Sequence, residues 1–169
     1  DELVGVIPFE HEEIEVWREN FTGIQCFDEK LNLIIFGAVD DVWVNEAGEL
    51  IVVDYKSTSK KSEVALDADW QIGYKRQIET YQWLLRRIGF KVNSTGYFVY
   101  ANGDSSAEGF FNKMDFNTKL IAYTGDDSWV DETLVKLKKC MESDEMPKFG
   151  KSCEYCQYVG ERLKLTWGK

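Results

Sequence analysis

The stretch from residue 37 to residue 56, which reads GAVDDVWVNEAGELIVVDYK, constrains the fold more than any other part of the chain. Two apolar, β-branched runs flank the turn-forming segment NEAGE, a pattern that predicts a β-hairpin with a short loop. If Val44 pairs with Leu50 across this loop, the antiparallel register places Asp40 directly opposite Asp54. Directly opposed Cβ atoms lie about 4.5–5.5 Å apart, and like charges at that distance are destabilising.

Lys56 lies two residues beyond Asp54, so its side chain is expected on the same face of the strand. Both faces of the hairpin are otherwise apolar, which is typical of strands in the covered centre of a sheet. One face carries Val42, Val44, Leu50 and Val52, and the other carries Val39, Trp43, Ile51, Val53 and Tyr55. The opposed carboxylates therefore need a compensating partner, and a divalent cation with oxygen ligands is the natural one. A register shifted by one residue would put Asp41 in the place of Asp40, and the sequence leaves that alternative open.

The hairpin resembles the core of the PD-(D/E)XK nuclease superfamily, in particular its RecB-like branch, whose pattern is G-x-x-D, a hairpin and then D-Y-K. Gly37, Asp40 and the run Asp54-Tyr55-Lys56 match that pattern. Gln77 and Tyr81 are similar to the Q-x-x-x-Y motif of the same branch, which includes the CRISPR-associated RecB-like exonucleases. The resemblance implies an α/β fold in which a mixed central β-sheet is flanked by helices, the restriction-endonuclease-like core.

The resemblance also implies an activity, namely a Mg²⁺- or Mn²⁺-dependent deoxyribonuclease that hydrolyses phosphodiester bonds in repair, recombination or defence. Asp40, Asp54 and the backbone carbonyl of Tyr55 are the implied metal ligands. Lys56 is the implied catalytic residue beside the two aspartates, where it stabilises developing negative charge or orients the attacking water. DNA is the implied partner, and the family's activity makes hydrolase and exonuclease the expected classes.

Gln77 and Tyr81 are four residues apart on a predicted helix over residues 69–88, so they share a face. One interpretation is a core glutamine whose amide is bonded to backbone groups. The other, implied by the resemblance, is that both residues contact the substrate or orient the metal ligands. Lys75 and Arg76 are expected to project elsewhere, toward solvent or a phosphate backbone.

The net charge argues against a nucleic-acid partner. The chain has 20 basic and 30 acidic residues, a net charge of −10, whereas phosphate binding is usually accompanied by a basic surface. The segment 56–91 is the exception, because its eight basic and four acidic residues make it locally +4. An alternative function is therefore a catalytically silent nuclease-fold module that binds nucleic acid or a partner protein.

The length of 169 residues predicts one domain over residues 1–169. The chain starts at Asp1 without Met, which suggests either a fragment lacking an N-terminal segment or a processed chain. The longest apolar run, residues 33–39, is far too short to span a membrane. Four cysteines with a single C-x-x-C pair are typical of a cytoplasmic protein rather than of a disulfide scaffold.

The cysteines leave the question of an iron–sulfur cluster open. Some RecB-like nucleases hold a [4Fe–4S] cluster with one N-terminal and three C-terminal cysteines. Here no third cysteine follows Cys153 and Cys156, Cys140 precedes them, and Cys26 lies in a predicted strand. Reduced thiols are therefore expected in place of a cluster. His11 lies in an acidic N-terminal arm and is expected to be a surface histidine rather than a metal ligand.

Apolar periodicity and turn residues predict the remaining elements. The predicted strands are 23–28, 32–44, 50–56 and 95–100, followed by a turn at 102–104 and a hairpin of 110–116 and 119–123 about Asn117. The predicted helices are 69–88, which follows a polar loop at 57–67, and 127–141, with a short helical segment within 10–20. The order β-β-β-α-β-β-β-α gives a mixed sheet with a helix on each face.

Overall fold

The computed structural model describes residues 3–106, 109 and 112–167, and for Trp70 and Trp167 it describes the backbone alone. The chain forms two compact units, Asp1–Glu132 and Thr133–Lys169. The strands of the described residues are β1 (Ile7–Pro8), β2 (Ile24–Asp28), β3 (Leu33–Gly37), β4 (Asp41–Val44), β5 (Leu50–Thr58), β6 (Thr95–Gly103) and β7 (Phe116–Thr124). The helices are α1 (Ile14–Trp17), α2 (Ile72–Arg87, preceded by a 3-10 turn at Asp69–Gln71), α3 (Trp129–Met141) and α4 (Glu154–Trp167).

The first unit is built on a five-stranded sheet in the order β1-β4-β5-β6-β7. β5 and β6 run parallel, while the other neighbouring pairs in the sheet are antiparallel. A parallel pair needs a crossover connection, and here α2 supplies it. The mixed sheet and the α/β class confirm the fold expected from the resemblance to restriction-endonuclease-like proteins.

Both faces of the central strands are buried, as the hairpin sequence predicts. α2 packs against the face of β5 that carries Val52, where Ile78 lies against Gly96 of β6. Val52, Ile78, Leu84 and Phe98 have no exposed surface. On the opposite face, Ile51, Val53 and Tyr97 form a buried cluster, and four partly buried hydrophobic residues pack against it: Leu3, Val6, Trp43 and Val99.

The single strand predicted over residues 32–44 is wrong. The chain leaves the ladder after Gly37, and β3 pairs with β2 in a separate two-stranded sheet, whereas β4 belongs to the main sheet. At the break, the Val39 N–H donates to the carbonyl oxygen of Trp17 at 3.0 Å instead of to a neighbouring strand. Apolar residues continue across the break, so periodicity alone does not reveal it.

The hairpin predicted about Asn117 is also wrong. β7 is one continuous strand that pairs with β6 from end to end, and Asn117 lies opposite Asn102 in this ladder. For the same reason the turn predicted at 102–104 is wrong, because β6 continues through Gly103. Phe110 and Phe111, which were expected in the first arm of the hairpin, lie outside the described residues.

The helices differ from the prediction mainly at their ends. The helical segment predicted within 10–20 is reduced to α1, and α2 begins as a 3-10 turn at Asp69. α4 begins within the C-x-x-C segment, directly after Cys153, and has no counterpart in the prediction. Among the described residues, none of the helices combines the length and the apolar character that crossing a membrane requires.

Candidate metal centre and active site

The register of the β4–β5 hairpin decides which aspartate faces Asp54. Val44 pairs with Leu50, and the ladder continues to Asp41 opposite Val53, which confirms the predicted register and excludes the alternative shifted by one residue. Asp40 comes just before β4, and its Oδ2 accepts a hydrogen bond from the Tyr55 N–H at 2.8 Å. The Asp40 carboxylate therefore lies at the edge of β5, next to Asp54.

Asp54 is a carboxylate without aligned hydrogen-bond donors. The residue is 1 % exposed, and neither of its carboxylate oxygens has a hydrogen-bond partner among the described residues. Its ionic partner is Lys56, whose Nζ contacts Oδ2 outside hydrogen-bond alignment. Burial raises the pKa of Asp54 above its usual value, since Lys56 opposes that effect only in part and the charge of Asp40 adds to it.

The donor set around Asp54 fits a small, hard divalent cation. Buried carboxylate oxygens are normally paired or coordinate metals, and those of Asp54 accept no hydrogen bond from the described part of the chain. Because a strand residue directs its N–H and C=O to the same side, the Tyr55 carbonyl is expected on the Asp40 side of β5. Within the described part of the chain, no group of three or more His, Cys, Asp or Glu side chains is placed to hold a metal. A cation here would therefore combine two carboxylates with a backbone carbonyl and water, all of them oxygen ligands.

Lys56, Gln77 and Tyr81 form a connected chain of side chains beside Asp54. Lys56 Nζ lies 3.4 Å from Gln77 Oε1 and 4.8 Å from the centroid of the Tyr74 ring. Gln77 Nε2 in turn donates to the Tyr81 hydroxyl at 2.9 Å. The Gln77 amide is thus bonded to side chains at the site, not to the backbone groups that the core-glutamine interpretation requires. Burial raises the pKa of Tyr81, and the negative charges of the two aspartates add to the effect.

Gly37 allows the Tyr81 ring to pack against β3. A Cβ atom at this position would lie 2.7 Å from Cε1 of Tyr81 and 3.4 Å from Cδ1 of Leu84. The first distance is too short for any side chain, so the ring would have to move. The glycine of the G-x-x-D pattern therefore has a packing role beside the site.

Asp41 points to the opposite face of the hairpin and forms a saturated structural cluster. Its carboxylate accepts hydrogen bonds from Arg18 at 2.6 Å, the Tyr55 hydroxyl at 2.8 Å, the Val42 N–H at 2.9 Å and the Trp43 indole at 3.2 Å. Burial by itself would raise the pKa of Asp41, but these donors hold it below its ordinary value. Burial, and then the neighbouring Asp41, raise the pKa of Tyr55 to about 12. Strand alternation predicts that the two neighbouring aspartates point to different faces, but the sequence does not reveal the distant partners Arg18 and Tyr55 that Asp41 finds there.

Lys75 and Arg76 lie on aromatic surfaces further round α2. Lys75 Nζ is 5.8 Å from the centroid of Tyr123, and the Arg76 guanidinium is 5.7 Å from the Trp129 ring. Beneath them, the buried carboxylate of Glu79 accepts hydrogen bonds from the Tyr123 hydroxyl at 2.5 Å and the Trp129 indole at 2.7 Å. Glu79 is not among the residues predicted for the site, because its only signal in the sequence is its place one residue from the apolar face of the helix.

His11 is half-buried, so the expectation of a surface histidine is only partly met. Its ring stacks on Trp17 with 4.8 Å between centroids and on Phe9 with 5.7 Å. Phe90 meets the His11 ring edge-on at 5.6 Å. The described residues do not bring His11 into a metal-binding group with the aspartates.

Cys153 and Cys156 lie together at the start of α4 in the second unit. The Cys156 N–H donates to the Cys153 sulfur at 3.4 Å, which lowers the pKa of the Cys153 thiol. Cys140 is exposed in α3, and Cys26 is half-buried in β2. The absence of an iron–sulfur cluster stays a prediction.

Comparison with models of known protein families gives a match over most of the chain. The model of the PD-(D/E)XK nuclease superfamily matches residues 4–160, a range that includes the hairpin, α2 and the C-x-x-C segment. A search of curated proteins found no match to the chain.

Proposed function

Because the chain belongs to the PD-(D/E)XK nuclease superfamily, we propose that it is a divalent-metal-dependent deoxyribonuclease. The observation that carries the proposal is the buried Asp54, which lies beside Asp40 and Lys56 and whose oxygens have no hydrogen-bond partner in the described ranges. A chain without chemistry at this site would have no physical reason to keep two carboxylates together, because their repulsion and burial are both unfavourable.

Asp40, Asp54 and the Tyr55 carbonyl are the residues that would hold the cation, Mg²⁺ or Mn²⁺. When bound, such a cation supplies charge neutralisation at the phosphoryl oxygens and a lower pKa for the attacking water. The Tyr55 N–H keeps the Asp40 carboxylate turned toward β5. Because the pKa of Asp54 is raised, more of this carboxyl is protonated as the pH falls toward that pKa. Metal binding must then release the proton.

Lys56 is the residue proposed to stabilise the negative charge that develops on the phosphoryl group. Gln77 accepts from the ammonium of Lys56 and donates to Tyr81, so the two helix residues restrict where the ammonium can lie. The Tyr74 ring adds a cation–π contact on another side of the ammonium. In this proposal Gln77 and Tyr81 act by orienting Lys56, a role that neither of the two interpretations drawn from the sequence included.

DNA is the proposed substrate. The segment 56–91, which is locally basic in sequence, contains β5 from Lys56 onward and all of α2, the elements that border the site, although Arg86, Arg87 and Lys91 within it form ion pairs with carboxylates outside it. The resemblance of residues 37–81 to the RecB-like branch supports exonucleolytic action in repair, recombination or defence. Because the whole chain carries a charge of −10, binding should be weak and strongly dependent on salt.

A cleavage assay with labelled DNA and Mg²⁺ or Mn²⁺ tests the proposal. The wild type should cleave only when the cation is present. Asp54→Ala or Lys56→Ala should abolish cleavage, and the circular dichroism spectrum of each variant should remain that of a folded protein. Asp41→Asn is the matched control, since Asp41 neighbours Asp40 but points to the other face, and it should retain cleavage. Cleavage by Asp54→Ala at the wild-type rate would remove Asp54 from the active site. A wild type that binds DNA without cleaving it would favour the silent module.

A further inference from the structure

The loop that follows β5 is fixed to the sheet at several points. Asn102 makes two hydrogen bonds to one residue of the loop: the Lys60 N–H donates to Asn102 Oδ1 at 2.8 Å, and Asn102 Nδ2 donates to the Lys60 carbonyl at 3.0 Å. The Ser59 hydroxyl donates to the carbonyl of Gly103 at 3.1 Å. In effect, the Asn102 side chain extends the β5–β6 ladder beyond its last pair, Thr58 with Asn102.

The far end of the same loop is also held. Lys119 Nζ donates to the Val64 carbonyl at 3.0 Å and pairs with Glu63. In the register of the sheet, Lys119 lies opposite Tyr100, and Tyr100 lies opposite Lys56. The contact between Lys119 and the loop is therefore level with Lys56 across the three strands. Val64 itself is buried, with 5 % of its surface exposed. The segment 59–64 is therefore a fixed part of the site, anchored at both ends.

The charge of this segment matches a phosphate backbone. Lys60 and Lys61 are both exposed, and Glu63 is already paired with Lys119. Lys60 lies four residues beyond Lys56, at most about 13 Å along an extended chain. A DNA strand carries a phosphate about every 3.4 Å of helix axis, so the segment lies within about four nucleotides of a phosphate held at Lys56.

We propose that the segment 59–64 is a contact site for the phosphate backbone of the nucleic-acid substrate, formed by Lys60 and Lys61. Asn102 is its positioning residue, because it fixes the Lys60 backbone to the end of β6. The proposal rests on the proposed nuclease function, and it identifies where the substrate backbone is held outside the metal centre.

The test measures binding of a fluorescein-labelled DNA duplex in EDTA by anisotropy across a KCl series, together with KM and kcat for cleavage. Lys60→Ala/Lys61→Ala should reduce the slope of log K against log salt by about 2 and raise KM several-fold with kcat retained. Asn102→Ala should shift both readouts in the same direction, and Asn117→Ala, its exposed neighbour in β7, should shift neither.

A double-mutant comparison separates positioning from a merely structural role. If Asn102 acts through the two lysines, Asn102→Ala has no further effect on KM or on the salt slope in the Lys60→Ala/Lys61→Ala background. An equal factor in both backgrounds overturns the positioning role. Should Asn102→Ala fail to fold, Asn102→Thr takes its place, since it adds no charge beside the lysines, suits a strand, and cannot make both hydrogen bonds to the Lys60 backbone with its single hydroxyl.

The two proposals fail in different ways. A wild type that binds DNA with a lysine-dependent salt slope but never cleaves it refutes the nuclease function and leaves the contact site standing. A wild type that cleaves, while the double lysine variant keeps its KM and salt slope, refutes the contact site alone. A wild type that neither binds nor cleaves refutes both.

Discussion

Replacing Lys56 by Met should destabilise the metal-free protein, because it leaves Asp54 buried and without a cation. Asp54 is 1 % exposed, and the side chain of Lys56 is 17 % exposed. Removing one partner of a buried ion pair costs about 3–5 kcal/mol, and the partial exposure of Lys56 places this pair at about 3 kcal/mol. For a chain of this size, each kcal/mol shifts Tm by about 2–4 °C, so the melting temperature in EDTA at pH 7 should fall by roughly 6–12 °C.

The loss in Lys56→Met should depend on pH in a defined direction. Lys56 opposes the rise in the pKa of Asp54 that burial causes, so the pKa of Asp54 rises further in the variant. When the pKa of a carboxyl is higher in the folded state than in the unfolded state, the carboxyl makes its full contribution to stability below its unfolded-state pKa of about 4. That contribution is lost as the pH rises through the folded-state pKa. The difference in Tm between the variant and the wild type should therefore be small near pH 4 and grow toward pH 7.

Lys91→Met is the matched control, since Lys91 forms an exposed ion pair with Glu49 and its side chain is 65 % exposed. Exposed pairs contribute little to stability, so this variant should melt close to the wild type at every pH. Thermal melts by circular dichroism in EDTA make the measurement. Two results would contradict a stabilising buried pair of Asp54 and Lys56. One is a melting temperature of Lys56→Met equal to that of the wild type at pH 7, and the other is a difference in Tm between the two that does not change with pH.

Two further predictions concern packing and the cysteines. Gly37→Ala should lower stability by about 1–3 kcal/mol and reduce cleavage, because its Cβ would displace the Tyr81 ring. The control is Gly73→Ala on α2, whose Cβ would meet no atom within 4 Å, and it should leave Tm unchanged or raise it. Equal melting temperatures for the two variants would refute the packing role of Gly37. Anaerobically purified protein should carry no [4Fe–4S] cluster, because a cluster ordinarily needs four thiolates and Cys153 and Cys156 supply two. An absorption spectrum with iron and acid-labile sulfide analysis checks this, and stoichiometric iron and sulfide would contradict it.

The parts of the site that follow from strand and helix periodicity could be predicted from the sequence. A turn segment and two apolar runs are enough to predict the hairpin register. Once Val44 is paired with Leu50, the register determines which residue of the first strand lies next to Asp54. The i, i+4 spacing likewise placed Gln77 beside Tyr81, and the structure joins them by a hydrogen bond. These contacts are local in sequence or set by a period, so no knowledge of the rest of the fold is required.

The contacts between distant segments could not be predicted. The break after Gly37 depends on a backbone hydrogen bond from Val39 to Trp17, which lies in another part of the chain. Asn102 and Asn117 have turn-forming side chains, yet the long β6–β7 ladder keeps both in strands because tertiary pairing outweighs local propensity. The bonds from Asn102 to the Lys60 backbone span 42 residues and leave no trace in the sequence pattern.

Binding of Mn²⁺ tests the proposed metal centre most directly. It is measured as the change in melting temperature on addition of millimolar MnCl₂. A ligand that binds only the native state stabilises it by mass action, by about 2.7 kcal/mol at a hundred times its Kd. The wild type should therefore melt higher with Mn²⁺, and Asp41→Asn should show the same increment from its own baseline. The increment should vanish in Asp40→Asn/Asp54→Asn. An undiminished increment in that double variant, or an equal loss in Asp41→Asn, would contradict a metal centre at Asp40 and Asp54.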